Sequence, residues 1–441
     1  MKKIFIAAIA FLYIAGSALA DEPGAQKGPG EATEYSLRDV IEVALKNNPD
    51  IMAAEKRLNA EDYSVDIAKA GRLPTVNLNG GVTRYRYAQP VTPITGSPLK
   101  GGFPAFDDTI YDFGVSFTLP LYMGGRITRG ITIAEMRKSA AEDTLNSGRQ
   151  ELTYNLTSVY YKISQLTKLL ESNEATVKGL EEHRKNAELS VKAGVSPRAD
   201  LLKSDVEFGH AKQNSITIRN NIEGSYVFLK TLMGIGLDEK LSLQRAGAAE
   251  GAYPVIDESI ARALNQRPAY KALQKKKRIA GERVKYAEGK RLPSVSLNGE
   301  YGDRSGTEMG FKENWFLGLR LTLPVFDGGV IKSEISREKT EADIVNDEER
   351  SLRNEIIREI KDAYLSIADS KEKINTALAA IEAATENLRV ERLKFQAGSG
   401  ITADVIDAEA ALLRARTDYY QSVYEMAIAE AALKKAVGEE I

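Results

Sequence analysis

The stretch Arg72-Leu73-Pro74-Thr75-Val76-Asn77-Leu78-Asn79-Gly80 returns almost unchanged as Arg291-Leu292-Pro293-Ser294-Val295-Ser296-Leu297-Asn298-Gly299, 219 positions later. Two further landmarks follow each copy in the same order. Phe117-Thr118-Leu119-Pro120 with Gly124-Gly125 is matched by Leu321-Thr322-Leu323-Pro324 with Gly328-Gly329, and Ala193-Gly194 with Asp200 by Ala397-Gly398 with Asp404, both at an offset of 204. Three ordered landmarks make the chain an internal duplication. The halves run from 21 to 255, connector included, and from 256 to 441. The change of offset falls in a stretch of the first half that holds Pro90, Pro93, Pro98, Gly101, Gly102 and Pro104, which is loop composition.

Within each half the hydrophobic period changes along the chain. A helical stretch comes first, Ser36 to about Ala70 and Ile256 to about Gly289, interrupted at Pro49 and Pro268. Two alternating segments follow, at about 75–88 and 109–119 in the first half and 294–302 and 314–323 in the second. Tyr111, Phe113, Val115, Phe117 and Leu119 share one face, as do Trp315, Leu317, Leu319, Leu321 and Leu323, which predicts strands. Phe316 breaks the pattern on the opposite face, and Gly80-Gly81 is placed to form a bulge. After the strands no proline occurs between Pro120 and Pro197 or beyond Pro324. Leu152, Leu156, Val159, Ile163, Leu166 and Leu170 step by fours and threes, and Ile356, Ile360, Ala363, Ile367, Ser370 and Ile374 repeat the seam. A helix of roughly 65 residues would be about 100 Å long. Each is expected to turn back once, near Gly194 and Gly398.

The first 20 residues read as an export signal, with Lys2 and Lys3 ahead of an apolar run and Ala18-Leu19-Ala20 as the cleavage site. Asp21 after the cut, rather than cysteine, argues against an N-terminal lipid, and no C-terminal extension is expected behind the last helix. Beyond the signal no apolar run reaches 18 residues, so a membrane would have to be entered as a β-barrel. The chain holds 62 acidic and 60 basic residues, a balance that excludes a nucleic-acid partner held by bulk charge. It has no cysteine and only two histidines, which removes thiolate chemistry and His-rich metal sites; His183 and His210 are expected on exposed helix surface. With no nucleophile elbow and no phosphate loop, neither a catalytic constellation nor a cofactor is expected.

Four strands cannot close a membrane barrel, and open edges in lipid leave backbone groups unsatisfied. The strands must therefore be pooled between chains: two chains give about 8 and leave little lumen, three give about 12 and room for a pore. A soluble sheet on helical stalks, a periplasmic adaptor with one hairpin, and a coiled coil without a pore are the alternatives. The adaptor calls for a single hairpin, and the poreless coiled coil leaves the amphipathic strands unexplained.

The duplicated strand–strand–long-helix layout, the Arg-Leu-Pro landmarks, the Leu-Pro turns ending in Gly124-Gly125 and Gly328-Gly329, and the paired Ala-Gly tips resemble the TolC-type outer-membrane efflux proteins over essentially the whole mature chain. That resemblance implies a mixed α and β membrane protein. It would be a homotrimer with a 12-stranded β-barrel in outer-membrane lipid, four strands from each chain, continuous with a long α-helical barrel in the periplasm. It also implies a periplasmic adaptor and an inner-membrane transporter as partners, and efflux or type I secretion as the function.

The resemblance places the channel entrance just past the second tip, with Asp404 and Asp407 on its ring of aspartates. They are three apart and share a helix face, so three-fold symmetry would gather six carboxylates that attract cations and repel anions. The same acids also suit an ordinary first helical turn. The first hairpin has Asp200 and Lys203 at the matching positions, so the pair occurs only once. Relatives close the entrance partly with an Arg and a Tyr; Gly400 and Phe395 stand there instead, so a closed state needs another lock, for which Asp200 with Arg198 is one candidate. Ala193, Gly194, Val195 and Ser196, with Ala397, Gly398, Ser399 and Gly400, are the expected adaptor-docking tips. Ser196 is placed to cap the next helix, with Pro197 starting it. Arg72, Lys290 and Arg291 would face inner-leaflet head groups, and Tyr85, Tyr87, Tyr111 and Trp315 an aromatic girdle.

Overall fold

The computed structural model describes residues 34–91, 105–244 and 253–439. The signal at 1–20 and the proline- and glycine-bearing loop at 92–104 lie outside the described residues. A two-residue strand, β1 (Glu34–Tyr35), leads into α1 (Leu37–Asn47). Ser36 and Asp39 form a capping box at the start of α1. Pro49 removes a helical N–H and opens a second helix, α2 (Pro49–Ala70), whose cap Asn48 accepts from the N–H groups of Asp50 and Ile51. The strands β2 (Thr75–Pro90) and β3 (Phe106–Met123) follow, then the helices α3 (Arg126–Lys192) and α4 (Arg198–Met233). A short strand, β4 (Ser242–Leu243), pairs in parallel with β1. The second half repeats the order with α5 (Ile256–Gln266), α6 (Pro268–Glu288), a 3₁₀ turn (Gly289–Arg291), β5 (Ser294–Ser305), β6 (Lys312–Thr322), α7 (Val330–Gln396) and α8 (Thr402–Val437).

The duplication is close in three dimensions. Both long helices have 67 residues and both return helices have 36. Each strand-to-helix turn carries two consecutive left-handed glycines, Gly124 and Gly125 at φ 62° and 77° and Gly328 and Gly329 at 67° and 89°. Glycine alone adopts that geometry without a Cβ penalty, which explains the repeated Gly-Gly. Near the sheet α3 packs with α2 and α6; toward the tips it packs with α4 and α8, and α7 packs with α6 and α8. The return helices are about half as long as the rods, and the short helices supply the remainder. The Asn48 amide, at the α1–α2 break, donates to the Leu232 carbonyl at the end of α4 (2.8 Å).

The seam residues form the core. Leu152, Leu156, Ile163, Leu229 and Met233 are buried with Val40, Ala44 and Ile51, and their counterparts Ile356, Ile360, Ile367, Leu433 and Val437 are buried with Ala263. Tyr160 donates to the Gln244 carbonyl (2.7 Å), and its counterpart Tyr364 to that of Pro254 (2.5 Å), so the connector between the repeats is tied at one flank to α3 and at the other to α7.

The four long strands form one antiparallel sheet in the order β2-β3-β5-β6, which leaves β2 and β6 at its two edges. Gly80 and Gly81 pair regularly with Phe113 and Asp112, so the bulge expected there is absent. The register shifts lie between Arg84 and Gln89, and between Pro120 and Tyr122. Pro120 lies beyond the last residue paired to β2, Thr118, where a missing N–H leaves no ladder bond broken on that side.

Candidate functional site

The sheet register sorts the side chains by chemistry. Leu78, Val115, Tyr301 and Trp315 lie in one cross-strand row, and Val76, Phe117, Gly299 and Leu317 in the next row on that face. Leu119, Leu297 and Leu319 continue the same apolar surface. Asn77, Ser116 and Glu300 occupy the other face with Phe316, the one aromatic out of pattern. Hydrogen bonds run across that polar face, from Asn79 to Ser116 (2.8 Å) and from Thr118 to Asn298 (3.1 Å), and Arg304 pairs with Asp112 (3.0 Å). Among the described residues no helix covers either face of the sheet, although Ile110 and Ser305 are buried. Leu319 is 70% exposed and Trp315 66%. Such a face in water would be a large apolar patch; against lipid it is the expected chemistry. Among the described residues no helix is long and apolar enough to cross a membrane.

At the other end stand the tips. Gly194 (φ 72°) and Gly398 (φ 74°) reverse the chain in left-handed conformation. Ala193, Gly194 and Val195 are exposed and Ser196 is half-buried; Ala397, Gly398 and Ser399 are exposed and Gly400 is half-buried. Val195, at 72% exposed, is the apolar residue that projects there. Ser196 does not cap α4: Pro197 occupies the cap position and no side chain caps that end. Asp404 and Asp407 are exposed on the first turns of α8, and Asp200 is half-buried on the first turn of α4. Arg198 and Asp200 form no ion pair among the described residues, so this candidate lock is not made within the protomer.

Gly400 has a steric reason for being glycine. A Cβ there would sit 2.9 Å from the Phe395 backbone nitrogen, so the arginine of relatives would require a reshaped turn. Phe395 stacks on His183, with ring centroids 4.6 Å apart. This corrects the expectation for His183, which is buried under the second hairpin; His210 is exposed. At the sheet–helix boundary Arg72 is exposed, and Lys290 pairs with Glu334 (2.6 Å) instead of standing free.

The sequence model of the family described as "Outer membrane efflux protein" matches residues 40–235 and 259–439, one block in each half. The chain belongs to the outer membrane efflux protein family. The unmatched interval is the connector between the repeats. Among relatives, the outer membrane efflux protein BepC of Brucella suis biovar 1 is 22% identical, over 92% of this chain and 86% of its own length. The outer membrane protein TolC of Salmonella enteritidis is 19% identical, over 91% and 82%. Solved channels share the fold. The outer-membrane channel OprN superposes with a TM-score of 0.81 at 21% identity, covering 92% of this chain and 90% of its own. The outer membrane protein VceC of Vibrio cholerae superposes at 0.78 and 19% identity, covering 91% and 96%. This efflux protein thus belongs to an outer-membrane family, and the solved OprN that shares its fold is described as an outer-membrane channel.

Proposed function

We propose that three copies of the chain form the exit duct of a tripartite efflux or type I secretion system. Each contributes four strands to a 12-stranded barrel and one set of helices to a hollow periplasmic rod. The observation that carries this reading is the sheet: its apolar rows lie uncovered on one face, its polar rows on the other, and its edges β2 and β6 have no partner among the described residues. Joining β6 of one copy to β2 of the next satisfies the edge backbone, turns Leu78, Leu317 and Leu319 toward lipid, and lines the lumen with Asn79, Ser116 and Asn298.

Asp404 and Asp407 of the three copies form a ring of carboxylates at the periplasmic entrance that favours cations, with Asp200 on the outer hairpin. The tips at 193–196 and 397–400 receive the adaptor, which connects the duct to an inner-membrane transporter. Their small residues permit close backbone approach by a partner helix. The protein supplies no energy of its own; the transporter does.

Fractionation and planar-bilayer recording test this together. Trimers that resist heat in outer-membrane fractions, with cation-selective conductance, are the expected result. Soluble periplasmic monomers that make no pores would overturn the proposal in favour of a coiled coil or adaptor.

A further inference from the structure

We propose that His183, Phe395, Arg392 and Glu409 form an acid-sensitive latch that holds the first hairpin against the second near the tips. This rests on reading the tips as the channel entrance.

Four observations converge on it. First, Glu409 of α8 is only 4% exposed, and Arg392 of α7 donates to its Oε1. Second, α3 closes over this pair at a glycine. A Cβ on Gly179 would lie 2.6 Å from both the Arg392 guanidinium and the Glu409 carboxylate, so glycine is what lets the helix come so near. Third, one turn further along α3, His183 is 5% exposed and stacks on Phe395 of α7, and its Nε2 is buried without a hydrogen-bond partner. Fourth, the duplication supplies a comparison. Asp205 is the counterpart of Glu409 and pairs with Arg184 (2.5 Å), but its side chain is 42% exposed where that of Glu409 is 5%, the two arginines being alike at 39% and 42%. The carboxylate is buried on the side where α3 of the first hairpin crosses the second.

The charges that act on the imidazole are Arg392 on α7 and Asp200 on α4; those that act on the Glu409 carboxyl are Arg392, Arg416 on α8 and Glu182 on α3. Burial, then the Arg392 charge, hold His183 below its ordinary 6.5, with Asp200 opposing. Burial holds Glu409 above its ordinary 4.5, with Arg392 opposing. The neutral imidazole is therefore the form that packs. Its contribution is whole above about 6.5 and is lost as pH falls through the lowered value. Glu409 works the other way: with its carboxyl held above the ordinary value by burial, its protonation favours the packed state and opposes the opening. Acid therefore acts through His183, whose imidazolium is buried and meets the Arg392 charge, to part α3 from α7 and α8.

The chain has no cysteine, so Val195→Cys and Ser399→Cys give one spin label on each tip of every protomer. In detergent, the distance between the tips is expected to lengthen between about pH 7.5 and 5, each unit below the transition weakening the packed state by up to about tenfold per proton taken up. His183→Phe keeps the stack and His183→Gln keeps a polar group; both should abolish the transition. Gly179→Leu should give the longer distance already at neutral pH. A native transition that is absent, or that persists unmoved in either His183 variant, overturns the latch. Parallel conductance recordings separate the two readings. Tips that move with pH in a protein that makes no pore keep the latch and remove the channel. A pore whose tips do not move does the reverse.

Discussion

Asp404 and Asp407 point from exposed first turns of α8, where one carboxylate alone would do little in water. The proposed ring gathers six of them, and its effect comes from their number at one mouth. Replacing both by alanine is expected to raise bilayer conductance severalfold and to lower the preference for cations over anions, read from reversal potentials. Unchanged selectivity would assign them to the helix dipole instead. At this scale the sequence was informative about composition and poor about environment. Gly400 and Phe395 stood out as departures from the family pattern, but the reason for Gly400, a backbone nitrogen 2.9 Å from where its Cβ would be, is a tertiary contact. His183 was misjudged because α3 alone gives it a polar neighbourhood; what buries it is the second hairpin, reached across the duplication. The available signal was Gly179, four residues earlier, a glycine in a helix that otherwise has every reason to avoid one.

The long elements carry two further predictions. Leu156 is fully buried in the seam between α3 and the short helices, so Leu156→Ala should cost about 2–5 kcal/mol and lower the helical melting temperature followed by circular dichroism. On the sheet the two faces should respond oppositely. Leu319→Arg places a charge on the apolar face and should cost roughly 2–4 kcal/mol if it meets the bilayer midplane, reducing recovery from outer membranes. Asn77→Lys, beside Ser116 and across from Glu300 on the polar face, should insert normally and shift ion selectivity. Equal recovery of the two variants would contradict the assignment of faces. These elements were legible because period two and the four–three heptad step are local patterns, each repeated once. The bulge was not: Gly80-Gly81 pair regularly with Phe113 and Asp112, and the register shifts fall instead between Arg84 and Gln89 and between Pro120 and Tyr122, where a proline interrupts the strand.

For the whole molecule, the edges of β2 and β6 and the projecting tips make one protomer incomplete at both ends. Val195→Asp puts a charge on the exposed apolar tip and is expected to weaken capture of the adaptor, measured by cross-linking in cells, while leaving heat-resistant trimers intact. Loss of the trimers as well would place Val195 in the subunit contact instead. The order of the landmarks made the two-ended design readable, since strands and hairpin tips alternate along the chain in both halves. The number of copies was not written there: an open edge says that a neighbour is needed, and only the curvature of the closed assembly says how many.

The butt joints at Asn48 and Arg267 have a mechanical meaning. At that height Gly234 and Gly438 abut the breaks between short helices, with Cβ positions 2.4 Å from the Asn47 carbonyl oxygen and 2.8 Å from the Arg267 Cα, while α3 and α7 pass through unbroken. Each half therefore has one continuous column beside one spliced column, and flexural stiffness is least where the splice falls. Below it hangs a 36-residue lever, roughly 54 Å long at about 1.5 Å per residue. A tilt of one degree at that flexure sweeps its free end by roughly 1 Å at this length, so a few degrees shared among the joints would move the tips by several times that distance without disturbing the sheet.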